Sequence, residues 1–291
     1  MLAKASGLPA DHVFLDLEDA VAPLEKNAAT REAVVRALVE QTWVARTKAV
    51  RVNAVGTSWC LDDLMHVVGG AQRALDCIVL PKVESAAQVH FVHHVLDHLE
   101  RAQDASRRIG LELQIESPRG LVEIERIAGA SDRVEALIFG PGDYAAAAGI
   151  PQLTVGAIDP RYSGDQWHYV LSRIVTTARA FGLQAIDGPY AAIRDLEGYR
   201  EVATRSRLLG FDGKWALHPD QVGPCNAIYA PAQAEYERAR RILAAYDVAT
   251  GDSRLGAVMF EGEMIDEASR KMAAQLAFRG AAAGLVAEVE A

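Results

Sequence analysis

The chain has 291 residues, half of them apolar and 24% charged, the balance of an ordinary globular protein, and its length suits either two average domains or one α/β barrel. Its net charge of -9 argues against nucleic acid, because a phosphate-binding surface needs a basic excess. No apolar run reaches the ~18 residues of a membrane helix, and the opening residues do not read as a secretory leader. Cys60, Cys77 and Cys225 are odd in number and far apart, which suits a reducing cytoplasm rather than a disulfide framework or a zinc site.

In chain order, short Val-, Ile- and Leu-rich runs alternate with longer amphipathic stretches. Strands are predicted at 12–17, 49–53, 77–81, 112–115, 136–140, 183–186 and 214–217, and helices at 28–41, 85–102, 118–128, 166–180 and 196–209. Residues 145–148, all alanine, read as a tight helix start, and 249–254 as a linker. Strands alternating with helices imply parallel pairing with both sheet faces covered.

Polar residues gather where each predicted strand ends. Asp16, Glu18 and Asp19 follow the first strand, Arg51 and Asn53 lie on the second, and Lys82 and Glu84 follow the third; Glu116, Asp143, Asp187 and His218 mark the remaining four. Such a collection at the carboxyl ends of successive parallel strands is the sequence form of a (β/α)8 barrel active site. The alternative is a doubly wound open sheet, but GPGDYA at 140–145 lacks the third glycine of a dinucleotide fingerprint. The expected fold is therefore an α/β protein built as a TIM barrel, although seven strands are counted rather than eight.

Four groups admit two readings each. Glu116 and Asp143 end consecutive strands, which lie ~4.8 Å apart in a sheet. Two carboxylates that close repel unless a cation separates them, and Mg²⁺ takes one or two carboxylates plus waters; equally, each could cap the following helix. Arg51, in an apolar AVRV run, needs an anion, which could be substrate or an ion pair with Glu18 or Asp19. Gly140, Pro141 and Gly142 could turn backbone N–H groups to a small carboxylate or form a plain tight turn. His90, His93, His94 and His98 share a helical face as zinc ligands can, but a helix on the barrel's outer ring lies away from the site-bearing face.

Eight motifs then occur in order: FLDLEDAV (14–21), RVNAVGTSW (51–59), LPKVES (80–85), QIESPRGL (114–121), FGPGDYAA (139–146), AIDGPY (185–190), LHPDQV (217–222) and GEMID (262–266). Together they resemble the citrate lyase β-subunit and malyl-CoA lyase family, within the HpcH/HpaI aldolase superfamily, from Met1 to about Gln275. The RVNAVGTSW run, AIDGPY and the WHY at 167–169 make the chain more similar to the malyl-CoA lyase branch. The resemblance implies Mg²⁺-dependent, reversible cleavage of malyl-CoA, or β-methylmalyl-CoA, to glyoxylate and acetyl-CoA or propionyl-CoA, with Mn²⁺ as a possible substitute. Alternatives are a malyl-CoA thioesterase, a citramalyl- or citryl-CoA lyase, or a non-catalytic subunit.

It further implies a barrel over 1–230 whose first strand is missing, and a helical extension and lid over 231–291. By resemblance Glu116 and Asp143 hold the metal, Arg51 holds the oxygen that becomes an enolate, and Gly140, Pro141 and Gly142 bind a carboxylate. Asp187, Gly188 and Pro189 would lie near the thioester and the pantetheine of CoA. Asp266 would be the acid/base, delivered in trans within a trimer or hexamer; as a residue alone it could equally be a helix N-cap.

Overall fold

The computed structural model describes residues 2–103, 107–251 and 256–287, in two compact units, Met1–Cys225 and Asn226–Ala291. After a helical turn α1 (Leu2–Ala5), the first unit is a run of β/α repeats. Its strands are β1 (His12–Asp16), β2 (Thr47–Arg51), β3 (Cys77–Leu80), β4 (Gly110–Ile115), β5 (Val134–Phe139), β6 (Gln184–Asp187) and β7 (Gly213–Lys214). The intervening helices are α2 (Ala28–Glu40), α3 (Cys60–Ala71), α4 (Ala86–Ala102), α5 (Pro118–Val122), α6 (Ile124–Ala128), α7 (Pro141–Ala148), α8 (His168–Ala180) and α9 (Leu196–Leu209). Helix α10 (Pro219–Tyr229) then carries the chain toward the second unit.

The seven strands pair parallel in sequence order, with registers such as Asp16 opposite Arg51 and Ile115 opposite Phe139. Strands β3 and β4 are buried on both faces, as parallel strands covered by helices must be. Along each strand alternate residues point to one side, and Ala49, Cys77, Val79 and Ile138 meet there with Phe14, Ile186 and Trp215. Phe14 belongs to one edge strand and Trp215 follows the other, yet their ring centroids are 4.4 Å apart. A flat seven-stranded sheet would hold these edges far apart, so the sheet curls around its own core as a barrel wall does. No ladder joins β7 to β1 among the described residues.

Three local details differ from expectation. The predicted helix over 118–128 is two short helices that meet at Glu123. Residues 145–148 finish α7, closed by Gly149 at φ 68°, rather than starting a helix. Strand β7 is two residues long because Trp215 N–H makes the final bond to the Asp187 carbonyl. The N–H groups of Leu217 and His218 then turn to the Gln221 side chain, at 2.7 and 3.2 Å.

The second unit pairs α11 (Gln233–Gly251) with α12 (Glu267–Ala282) and a hairpin of β8 (Val258–Phe260) and β9 (Glu263–Ile265). The hairpin turns through Glu261 and Gly262, both at positive φ (48° and 82°), as a two-residue primed turn requires. A linker over 249–254 does not hold at its start: residues 249–251 complete α11 because the helical hydrogen bonding runs on to Gly251. The remainder, 252–254, lies outside the described residues, as does Leu255. Among the described residues no helix is long and apolar enough to cross a membrane.

Candidate active site

The turn after β1 is built by Asp16, whose carboxylate accepts the N–H groups of Glu18 (2.8 Å) and Ala20 (3.2 Å). The same carboxylate grips Arg51 at the end of β2, through Nε at 2.9 Å and Nη2 at 2.5 Å. This fork is the geometry for which arginine is suited and lysine is not. Arg51 Nη1 stands 3.2 Å from Glu18 Oε2, and the guanidinium lies over the Trp215 ring at 5.4 Å. Of the two ion-pair partners the sequence offers, Glu18 lies nearer than Asp19, at 3.2 against 4.0 Å; the larger pairing, with Asp16, follows from the strand register, which sets the two residues side by side. Burial is the largest influence and works against the Arg51 charge, but the Asp16 bond and the charges of Asp16, Glu18 and Asp19 together outweigh it and raise the guanidinium above its ordinary value.

Glu116 follows β4 and is 3% exposed. Its Oε1 accepts the Lys82 N–H at 2.6 Å and its Oε2 accepts Gln114 Nε2 at 2.7 Å. Capping of α5 falls to Ser117, which takes the Gly120 N–H at 3.0 Å, so Glu116 is not used as a cap. Burial first, and the Asp143 charge second, push the Glu116 carboxyl up to about 8, against the opposing Lys82 N–H bond. Asp143 sits in the first turn of α7, which has no side-chain cap; its half-exposed carboxylate lies 3.8 Å from Lys82 Nζ. Gly140 is required here for space, because a Cβ would collide with the Glu116 side chain. Gln114 was missed as a site residue, although it alternates with Glu112 and Glu116 along β4 and so shares their face.

Glu116 and Asp143 could hold a hard divalent cation. Each Glu116 oxygen carries a single hydrogen bond, leaving lone pairs available, and a cation between the carboxylates would relieve the repulsion that raises Glu116. No group of three His, Cys, Asp or Glu side chains is placed to hold a metal among the described residues. Two carboxylates with the remaining positions open to water and substrate is the Mg²⁺ pattern, not the zinc one. Of the histidine face on α4, His90, His94 and His98 are exposed, and His93 Nδ1 is 2.7 Å from Ser131 Oγ.

Beside the Gly140–Gly142 turn is a cavity of about 100 Å³, lined by Pro141, Gly142, Ala145, Ile150 and Val155 among others. The next strand end is organised from behind. Asp187 Oδ2 is 2.7 Å from Lys214 Nζ, and its Oδ1 accepts the Gly188 N–H at 2.8 Å. Lys214 also donates to the Gly188 carbonyl at 2.6 Å. Asp187, 4% exposed, is thereby committed to Lys214, so what it can offer a ligand is the placement of Gly188 and Pro189. Asp266, in the second unit, caps α12: its Oδ1 accepts the N–H groups of Ala268 (2.9 Å) and Ser269 (3.1 Å).

Residues 1–219 match the family model described as HpcH/HpaI aldolase/citrate lyase. The chain is 36% identical to the L-malyl-CoA/beta-methylmalyl-CoA lyase of Rhodobacter capsulatus, over 93% of this chain and 87% of that one. It is 33% identical to the malyl-CoA/beta-methylmalyl-CoA/citramalyl-CoA lyase of Chloroflexus aurantiacus, over 89% of this chain and 77% of that one. Among solved structures it resembles the protein CitE from Mycobacterium tuberculosis, crystallised with magnesium, acetoacetate and coenzyme A. That likeness has a TM-score of 0.72 at 31% identity and covers 94% of this chain and 91% of the other.

Proposed function

The chain belongs to the HpcH/HpaI aldolase/citrate lyase family, and from that premise we propose that it is a Mg²⁺-dependent carbon–carbon lyase. Its substrate is malyl-CoA, or β-methylmalyl-CoA, split reversibly to glyoxylate and acetyl-CoA or propionyl-CoA. The observation that carries this reading is the buried Glu116 carboxylate, fixed by the Lys82 N–H and Gln114 and raised by burial and then by the Asp143 charge. Glu116 and Asp143 would hold the ion, and Mg²⁺ (or Mn²⁺) when bound supplies Lewis-acid polarisation of substrate oxygens.

The chain's own groups do the rest. Gly142 presents its backbone N–H to the free carboxylate of the 2-hydroxy acid end, whereas Gly140, whose N–H is bonded to the Ile115 carbonyl at 3.0 Å, contributes space beside Glu116. The fork with Asp16 holds the Arg51 guanidinium in one orientation, and Nη1, which also faces Glu18 Oε2 at 3.2 Å, meets the thioester oxygen with its second hydrogen as enolate charge develops. Gly188 and Pro189, placed by the Asp187–Lys214 pair, support the thioester and pantetheine. In cleavage Asp266 takes the hydroxyl proton and returns it to the enolate carbon to give the acetyl methyl; in the reverse direction it takes the methyl proton and returns it to the new alkoxide. We assign Asp266 to a neighbouring subunit's site, with the second unit as lid of a homo-oligomer, a trimer or hexamer.

Product analysis tests the reading. With malyl-CoA and Mg²⁺ the protein should release glyoxylate and acetyl-CoA in equal amounts. Free malate with CoA would show a thioesterase instead, and no reaction would leave a non-catalytic subunit.

A further inference from the structure

Lys82 takes no part in the steps above, yet its two ends reach both halves of the site. Among the described residues only Lys82 (φ 52°) and Glu261 hold positive φ without being glycine, and Glu261 is explained by its hairpin turn. A left-handed lysine is sterically disfavoured, its Cβ crowding the following carbonyl, and persists only where its surroundings demand it. Here the conformation aims the Lys82 N–H at Glu116 Oε1, 2.6 Å away, while the next residue, Val83, donates its N–H to the Gln114 carbonyl at 3.3 Å.

The other end of Lys82 crosses to the β1 turn. Its Nζ lies 2.6 Å from Glu18 Oε1, 3.5 Å from Asp19 Oδ1 and, more distantly, 3.8 Å from Asp143 Oδ1. Glu18 is 4% exposed, and its second oxygen faces Arg51 Nη1 at 3.2 Å. Glu18 therefore stands between two cations, and removing either leaves a buried carboxylate half-compensated. Burial is the largest influence and opposes the Lys82 charge, but the Glu18 bond and the charges of Glu18, Asp143 and Asp19 together outweigh it and lift the ammonium above its ordinary range.

We propose that Lys82 is a positioning residue with two separable functions: its left-handed backbone N–H fixes Glu116, and its ammonium, acting through Glu18, sets Arg51. This rests on the lyase reading for what Glu116 and Arg51 do, but its test includes a measurement that needs no turnover. Lys82→Gly keeps the N–H and tolerates positive φ while deleting the ammonium. Lys82→Val resists positive φ because it is β-branched.

Calorimetric titration with Mg²⁺ should give Lys82→Gly an affinity no more than about threefold weaker than wild type, because the deleted ammonium lies near Asp143 and only competes with the ion, and Lys82→Val one at least about tenfold weaker, the scale of one lost hydrogen bond to a charged group. In turnover, Lys82→Gly should lose about tenfold or more in kcat with KM for the acyl-CoA nearly unchanged, the signature of a group felt only in the transition state. Lys82→Arg should recover most of that kcat. If Lys82→Val does not fold, Lys82→Ala enters the same comparison. Equal Mg²⁺ affinities for the two types of variant, or an unchanged kcat in Lys82→Gly, would overturn the proposal. A wild type that binds Mg²⁺ but makes no glyoxylate would instead overturn the lyase reading, and the affinity comparison would still judge the Glu116 clamp.

Discussion

Arg51 is 7% exposed and held by the Asp16 fork on one side and Glu18 on the other, so structure and catalysis compete to explain it. Lysine at this position keeps the charge but loses the planar fork. If Arg51 acts on a developing enolate, Arg51→Lys should lower kcat by more than ~10²-fold in a protein that still folds. A melting temperature that drops while kcat stays put would make it a core ion pair. Strand-end polarity was enough to nominate Arg51, Glu116 and Asp143 from sequence. The part played by Lys82 was not legible, because it depends on a backbone dihedral and on Glu18, 64 residues away in the chain. Asp187 was legible as a strand-end acid but not as the partner of Lys214, because the burial pattern does not say which side of a strand faces the helices.

At the scale of elements, the repeat pattern located all seven strands, most clearly β3, where the apolar run is buried throughout. It erred where side chains replace the ladder, as Gln221 does after β7, and where two short helices meet at Glu123. The alternative reading of Asp266 as an N-cap is what the α12 bonds display, and that role is compatible with catalysis. The two can be separated because asparagine caps nearly as well as aspartate, whereas alanine does not. Asp266→Asn should leave the melting temperature close to wild type and remove turnover. Asp266→Ala should remove turnover and also destabilise the protein by about 1 kcal/mol. Full activity in Asp266→Asn would leave it as a cap alone. Mixing Arg51→Ala with Asp266→Ala protein should restore some activity if the acid/base acts across subunits; no recovery after confirmed subunit exchange would exclude that arrangement.

For the whole molecule, the end of the curled sheet opposite these strand termini carries its own titrating pair. Burial, then the Glu135 charge, pushes the Glu112 carboxyl from 4.5 up to about 8, with the Cys77 thiol bond opposing. Burial lowers His12 from 6.5 to about 4, with the Asp76 charge opposing, and His12 Nδ1 is 3.3 Å from Glu112 Oε1. The raised carboxyl contributes stability that is full below pH 4.5 and lost as pH rises through 8. The lowered histidine contributes stability that is full above pH 6.5 and lost as pH falls through 4. The two slopes cancel between about 4.5 and 6.5, leaving a net loss between about 6.5 and 8. Thermal unfolding with Mg²⁺ present, so that Glu116 stays ionised, should show melting temperature falling over that upper window, and Glu112→Gln should reduce the fall. An unaltered slope in Glu112→Gln would mean that Glu112 is ionised in the folded protein.

Glyoxylate release from malyl-CoA by chelator-stripped protein bears on the metal pair and the reaction at once. The stripped wild type should release none, recover on addition of Mg²⁺, and remain inactive as Asp143→Asn at every Mg²⁺ concentration while still folded. Glyoxylate formed in excess chelator, or Asp143→Asn turning over like wild type, would contradict a metal-dependent lyase centred on Glu116 and Asp143.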